Sequence, residues 1–500
     1  MKLKVDKNAW RLMSQRQRMS PFPNYMSMEA MARRLKSYVG VNLEATLLIF
    51  EDRLMNAFNP KKNFDEAGSS ILRRIIREPK LYKTLIALQH KFGNKLVHFT
   101  ILAGKRARVQ PTNRELYEFF AGYNKYYLEV YATYGSVWVV ENVLNVALLK
   151  IVQKRIADPV EASKILNVLT LQPSAMVARI EREHLLGVAA EVAKNPGWTR
   201  EIKNSTLTDE KLVKLIKDHE KEYFWVTRDY EDPVLTFEQI LQRLKVVLVS
   251  NPVKVHQEMV AERKDIALQQ QNLASKLSLT VQEKQLFSSM LDLAHLKELR
   301  KRYVSESLYY FDDVLQTIAE HSFLTLKQVR FLRTVDVGEI LLKGKDFSAE
   351  ANDRIKLSAW ITDGRESAVY TGAKAAAFKK TLIDFSPDTK EFQGFPVSPG
   401  KARGPARIVM NPDEIGKIKK GDIIVTVQVV PSFAPAIHRA AGLICDGGHG
   451  VTTHPAILAR EAKIPAIIQT RFARQVLHDG DIVEVDGFAG TARIVKRMKP

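Results

Sequence analysis

The chain has a single cysteine, Cys445, among its 500 residues, which excludes an intramolecular disulfide framework and a cysteine-rich metal site. That scarcity fits a reducing compartment, and the cytoplasm is the expected location. Long apolar runs are also lacking. The longest, near 137–152, is interrupted by Glu141, Asn142, Asn145 and Lys150, so it reads as too polar and too short for a bilayer, and no membrane partner is expected. The opening MKLKVDKNAWRLMSQRQRM has no apolar core of signal-peptide length. Neither GxxxxGK(S/T) nor GxGxxG occurs, so neither familiar glycine-rich phosphate loop is expected. Zinc-finger spacing and an aromatic–basic RNA signature are missing too, so no metal is assigned and nucleic acid is not the expected partner. There is no basic tail either. The net charge of +20 is spread along the chain, which suits an anionic partner or a phosphorylated substrate.

What is present is an ordinary globular composition, 45% apolar and 26% charged, in a chain long enough for about two to four domains. From residue 1 to about 383 apolar residues recur at intervals of three and four, as in Ala162–Ala193 and Leu273–Glu320. This predicts a large all-α region. Helix boundaries are signalled at Asn195-Pro196-Gly197, Thr206–Asp209, Asp232-Pro233 and Asn251-Pro252, with a subdomain break near 195–235. Residues 384–394, DFSPDTKEFQG, read as a linker. Beyond it, over 395–500, short β-branched runs alternate with brief helical ones. Strands are predicted at Ala406–Met410, Asp422–Val427, Gly442–Cys445, Ala466–Gln469, Asp481–Val485 and Thr491–Val495. Helices are predicted at Pro412–Ile418, Phe433–Ala440, Pro455–Ala462 and Arg471–Val476, and Asp486-Gly487 with Gly490 marks a closing hairpin. The fold class expected is multidomain α + α/β, a helical region followed by a compact C-terminal domain.

One segment carries chemistry: Asp446-Gly447-Gly448-His449-Gly450-Val451-Thr452-Thr453-His454-Pro455, leading into AILARE. A proline at the start of a helix loses nothing, because its missing N–H would have no partner there. Pro455 therefore places His454 at or next to the N-cap, beside backbone N–H groups and the positive end of the helix dipole. Such a place suits a group that becomes an anion. A neutral imidazole is nucleophilic near neutral pH, and the phosphoramidate it forms can pass the phosphoryl on. Thr452 and Thr453 are placed to cap the helix or donate to phosphate oxygens, and Gly447, Gly448 and Gly450 allow a tight turn. The bland reading is a histidine that only caps a helix. Glu461 shares the face of His454 but lies about 10 Å along the axis, too far for a general base. Arg460 points to another side, toward a neighbouring domain or a nucleotide phosphate.

Residues 394–495 resemble the mobile phosphohistidine domain of the phosphoenolpyruvate-utilising enzymes, which include phosphoenolpyruvate synthase, pyruvate phosphate dikinase and rifampin phosphotransferase. The resemblance rests on GFPVSPGKARGPAR from Gly394, on KGDIIV from Lys420, on THPAILARE from Thr453 and on IPAI from Ile464. It implies a swivelling β/β/α domain with the phosphorylated histidine at His454. His449 replaces the first glycine of the family's pair, and Pro455 replaces the alanine after the histidine. The order of parts is most similar to the histidine-bearing subunit of phenylphosphate synthase, whose ATP-binding portion is a separate chain. The resemblance thus implies ATP and Mg2+ at a partner ATP-grasp subunit and a small-molecule acceptor bound by the helical region. HEKEYFWV from His219, YEDP from Tyr230 and HLKELRKRY from His295 resemble segments of such helical regions. Arg300 and Arg302 are candidate phosphate or substrate contacts, against a reading as a solvated basic helix face. Tyr223 and Trp225 are candidate pocket aromatics, against a reading as core. His184 and His219 read as structural. The rival to an enzyme subunit is a non-catalytic interaction protein that keeps the domain and binds a partner or RNA through its basic surface.

Overall fold

The structure is a computed structural model that describes residues 5–171, 177–383, 388–410, 412–429, 433–448 and 453–498. The chain divides into two compact units, each assembled from separate stretches. One comprises Met1–Arg73, Gln110–Asn145 and Val314–Pro500, the other Arg74–Val109 and Val146–Asp313.

The first unit corrects the all-α expectation for residues 1–383. Five strands, β1 (Trp10–Arg16), β2 (Thr46–Glu51), β3 (Leu54–Pro60), β4 (Ser358–Thr362) and β5 (Ser367–Tyr370), form an antiparallel sheet in the order β1-β3-β2-β4-β5. One face, with Trp10, Leu47, Ile49, Phe58, Ala359 and Ile361, is covered by Ala375 and Phe378 of the helix Gly372–Leu382. On the other face Trp360 stacks on Tyr25 at 5.4 Å and meets Phe50 edge-on at 6.4 Å. A sheet covered on both faces shows no alternation of apolar and polar residues. β2 is buried from Thr46 to Phe50 and β4 throughout, so neither carries the period of two that identifies a strand.

The same unit holds the C-terminal domain. Its strands are β6 (Glu391–Gln393), β7 (Phe395–Ser398), β8 (Lys401–Ile408), β9 (Ile423–Thr426), β10 (Gly442–Cys445), β11 (Ala466–Ile468), β12 (Ile482–Asp486) and β13 (Thr491–Lys496), in the order β6-β13-β12-β8-β9-β10-β11-β7. β8 to β11 run parallel and their flanks antiparallel. All six predicted strands are present, and β12 and β13 form the predicted hairpin, with Gly490 at φ 73°. The linker expected over 384–394 is shorter, because β6 pairs with β13 and β7 with β11. Residues 384–387 of it lie outside the described ones. Alternate residues of the central strands feed two cores. Ile424, Leu443 and Cys445 pack with Ala456 and Ala459. Ile423, Val425 and Ile444 pack with Ala473 and Val476.

Among the described residues, the regular elements of the second unit are all helices. Asn195, Asp209 and Asn251 cap the helices Pro196–Asn204, Glu210–Tyr223 and Pro252–Lys276 with their side chains, at three of the signalled boundaries. Its core joins Leu185, Ala189 and Val192 to Ile202, Leu212, Ile216, Ile240 and Leu244. Residues 195–235 lie wholly inside this unit, and the division falls elsewhere.

The apolar stretch read as too short for a membrane lies within a 41-residue helix, Asn113–Gln153. By length and composition that helix is able to cross one, although 56% of its apolar window is buried inside the protein.

Candidate functional site

The glycine turn leaves β10 at the carboxyl ends of four parallel strands, where open α/β sheets place their ligands. Asp446 anchors it. Its buried carboxylate accepts hydrogen bonds from Thr470 Oγ1 at 2.6 Å and from the backbone N–H groups of Ala473 at 2.7 Å and Arg474 at 3.0 Å. Burial pushes this carboxyl above its ordinary value, against the pull of those donors. Gly447 donates its N–H to the Val427 carbonyl at 2.9 Å and accepts from the Gln469 N–H at 3.0 Å. A Cβ at Gly447 would lie 2.5 Å from the Val427 oxygen and 2.6 Å from the Gln15 oxygen, so glycine is required there for close approach. Gly448 is required for a different reason, its φ of +90°. The next residues named as candidates, His449, Gly450 and Thr452, lie outside the described residues.

The helix then spans His454–Glu461, with Thr453 at the N-cap in an extended conformation (φ −79°, ψ 154°) and Pro455 in the first turn. The carbonyl of Thr453 accepts the first helical bond, from Ile457 N at 2.9 Å. His454 is therefore the first helical residue, half-buried, at the end where N–H groups point outward and the dipole favours an anion. Thr453 makes no capping bond through its side chain, one of the two roles expected of it. Glu461 is exposed on the helix surface. Arg460 is half-buried and donates to the Val397 carbonyl of β7, within its own domain, at 3.3 Å. Burial lowers its guanidinium to about 10, so it stays charged at neutral pH. The anchors Asp446 and Gln469 were not foreseen. The only sequence signal for Asp446 is a lone acid at the end of an apolar strand.

The helical candidates gather in the second unit. Arg300 is 8% exposed and donates to the Tyr230 hydroxyl at 3.3 Å, so it does not lie on a solvated face. Arg302 stands 5.9 Å from the Trp225 ring centre and bonds Glu306 at 2.8 Å, with Glu222 at 3.6 Å. Trp225 is buried and donates Nε1–H to the Glu222 carbonyl. Tyr223 lies against His184 and His219, with ring centres 5.2 and 5.0 Å away.

Residues 418–490 match the family model of the PEP-utilising enzyme mobile domain. A probable phosphoenolpyruvate synthase of Archaeoglobus fulgidus is 41% identical over 151 residues, 28% of this chain and 20% of that protein. Another, of Methanothermobacter thermautotrophicus, is 44% identical over 98 residues, 20% of this chain and 14% of its own length. An uncharacterised phosphotransferase of Bacillus subtilis is 38% identical over 104 residues, 21% of this chain and 12% of that protein. The matched part is thus a fifth or less of each of these relatives. Among solved structures, the holo-form of Thermococcus kodakaraensis aconitase X aligns with 22% of this chain and all of its own, at TM-score 0.18 and 18% identity. That likeness carries no inference. Three of the four parallel strands, β9 to β11, the glycine turn and the helix that begins at His454 fall within the matched residues, and this C-terminal domain is similar to the mobile domain of the PEP-utilising enzymes.

Proposed function

We propose that this chain is the phosphohistidine-carrying component of an ATP-dependent phosphotransferase, with His454 as the nucleophile. The observation that carries the reading is the position of His454, the first residue of a helix inside the segment that matches the mobile domain. One imidazole nitrogen attacks phosphorus, and the helix N-terminus offers its dipole to the charge that arrives. The phosphoryl group comes from ATP with Mg2+ held by a separate ATP-grasp chain, because phosphoryl transfer needs charge neutralisation that an imidazole does not supply. The C-terminal domain swivels on the residues before β6 and delivers the group to a small-molecule acceptor bound by the helical part. Arg302, Tyr223 and Trp225 cluster in that part, which supports an acceptor role for it. The reaction is cytoplasmic in this reading.

The test is labelling. The full chain is incubated with a partner ATP-grasp chain and with ATP labelled on each phosphate in turn. Acid-labile, base-stable label is expected, and His454→Ala abolishes it. Unchanged label in that variant removes His454 from the mechanism. No label with any partner favours the rival interaction protein, to which the departures at His449 and Pro455 lend weight.

A further inference from the structure

The helix Val177–Ala193 turns Ile180, His184, Gly187 and Glu191 to one side, and they wall a solvent-open cavity of about 420 Å³ at the surface of the second unit. Leu215 and Tyr223 of the helix Glu210–Tyr223 close a second wall. His256 and Arg263 of the helix Pro252–Lys276 close a third. Position 187 has no side chain, so any larger residue there would grow into this space. A Cβ there would already touch the His256 ring, at 3.6 Å.

Behind the wall runs a chain of three ionisable groups. His184 Nδ1 lies 2.8 Å from His219 Nδ1, and His219 Nε2 lies 3.0 Å from Glu181 Oε1. Arg243 holds the other oxygen, Oε2, at 2.7 Å. His219 is wholly buried and Glu181 is 3% exposed. Burial alone would raise the Glu181 carboxyl, but the bonds from His219 and Arg243 outweigh it and hold it below its ordinary value. An ionised carboxylate only accepts, so His219 Nε2 carries a proton. In a neutral His219 the Nδ1 is then an acceptor, and the proton shared between the rings belongs to His184 Nδ1. His184 is left with a bare Nε2 lone pair. His184 is exposed on its outer side, and partial burial first, then the neighbouring His219, hold it below its ordinary value, so its ring is neutral at neutral pH. A carboxylate that orients one imidazole, which in turn orients a second, is the arrangement that activates a base.

We propose that this cavity binds the hydroxyl compound that accepts the phosphoryl group, and that His184 Nε2 is the general base that takes its proton. The assignment of the ligand as acceptor rests on the phosphohistidine reading above. As the acceptor oxygen bonds to phosphorus, its proton passes to His184. The N–P bond of the phosphohistidine breaks, its electron pair returns to the imidazole of His454, and that ring takes up a proton from solvent while His184 later releases one. His219 and Glu181 are positioning residues that steady the charge on His184. Ile180, Val188 and Leu215 give the cavity an apolar lining, while Arg263, tied to Glu183 at 3.3 Å, and His256 bring positive or neutral groups. Glu191, Glu222 and the Tyr223 hydroxyl complete the ionisable groups around His184. The ligand class is a compact, partly apolar alcohol or phenol.

The probe is para-nitrophenol, whose phenolate absorbs visible light and whose phenol does not. On the full chain, slightly below the solution pKa of the free phenol, bound probe is expected to show the phenolate band. His184→Gln is expected to keep the probe but lose the band, and Gly187→Leu to lose the probe altogether. The band persisting in His184→Gln, or binding undisturbed in Gly187→Leu, overturns the proposal, as does failure of the intact chain to bind. Labelling of His454 from ATP is read in the same preparation. Label without the band refutes the cavity base and leaves the carrier standing. The band without label refutes the carrier reading, and with it the acceptor assignment, while the cavity base stands.

Discussion

Asp336 shows how much one side chain holds in place. It is 2% exposed and bonds Arg354 at 2.6 Å and Arg333 at 2.8 Å, and Arg354, itself wholly buried, lies 5.6 Å from the Trp360 ring centre. Burial by itself would raise the Asp336 carboxyl, but the two guanidinium groups outweigh it and set it below its ordinary value. A carboxyl with a depressed folded-state pKa contributes stability that is fully present above its unfolded value. That contribution is lost as pH falls through the folded one. Thermal melts are therefore expected to lose stability below about pH 4, and Asp336→Ala to cost about 1–3 kcal/mol at neutral pH by removing one partner of the buried Arg354, which keeps Glu350 and the Phe331 carbonyl. A melting point unmoved in Asp336→Ala contradicts this. Position in sequence says little about such a triad, since the three residues are spread over two helices and the start of one of them. At this scale His454 was legible, because proline, threonine and glycine act on their immediate neighbours. Arg300 and Arg460 were not, because whether an arginine is solvated depends on what packs over it.

The scale of the element brings in the glycine turn and the strands beneath it. Gly447 is squeezed between two backbone carbonyls, whereas a Cβ at Gly416 would meet nothing within 4 Å. Gly447→Ala is expected to force the turn off β9, costing about 1–3 kcal/mol and slowing the labelling of His454. Gly416→Ala serves as the control that labels normally. Equal labelling rates in the two variants would show that the turn does not position the histidine. The strands of the C-terminal domain were legible because each is short, rich in β-branched residues and bounded by turn residues. β2 and β4 were not, because a doubly covered strand and a buried helix segment present the same unbroken apolar run.

The molecule as a whole joins distant parts of the chain. β2, near the start, pairs with β4 through Leu48 opposite Trp360 and Ile49 opposite Ala359. A chain stopped before Ser358 loses β4 and β5 and leaves the apolar β2 as an open edge, which invites association. Size-exclusion chromatography is expected to show aggregates for that truncation, and a monodisperse peak would refute the dependence.

The sequence alone determined the C-terminal strands, the helix starting beside His454 and the family likeness of that domain, because turns, caps and motif residues act over a few positions. Tertiary structure alone decided the five-stranded sheet, whose partner strands lie some three hundred residues apart, and the Glu181–His219–His184 chain. His184 and His219 read as structural one at a time. Only the packing of two helices puts their nitrogens 2.8 Å apart, and a hydrogen bond depends on distance in space, which helical periodicity along one segment does not specify.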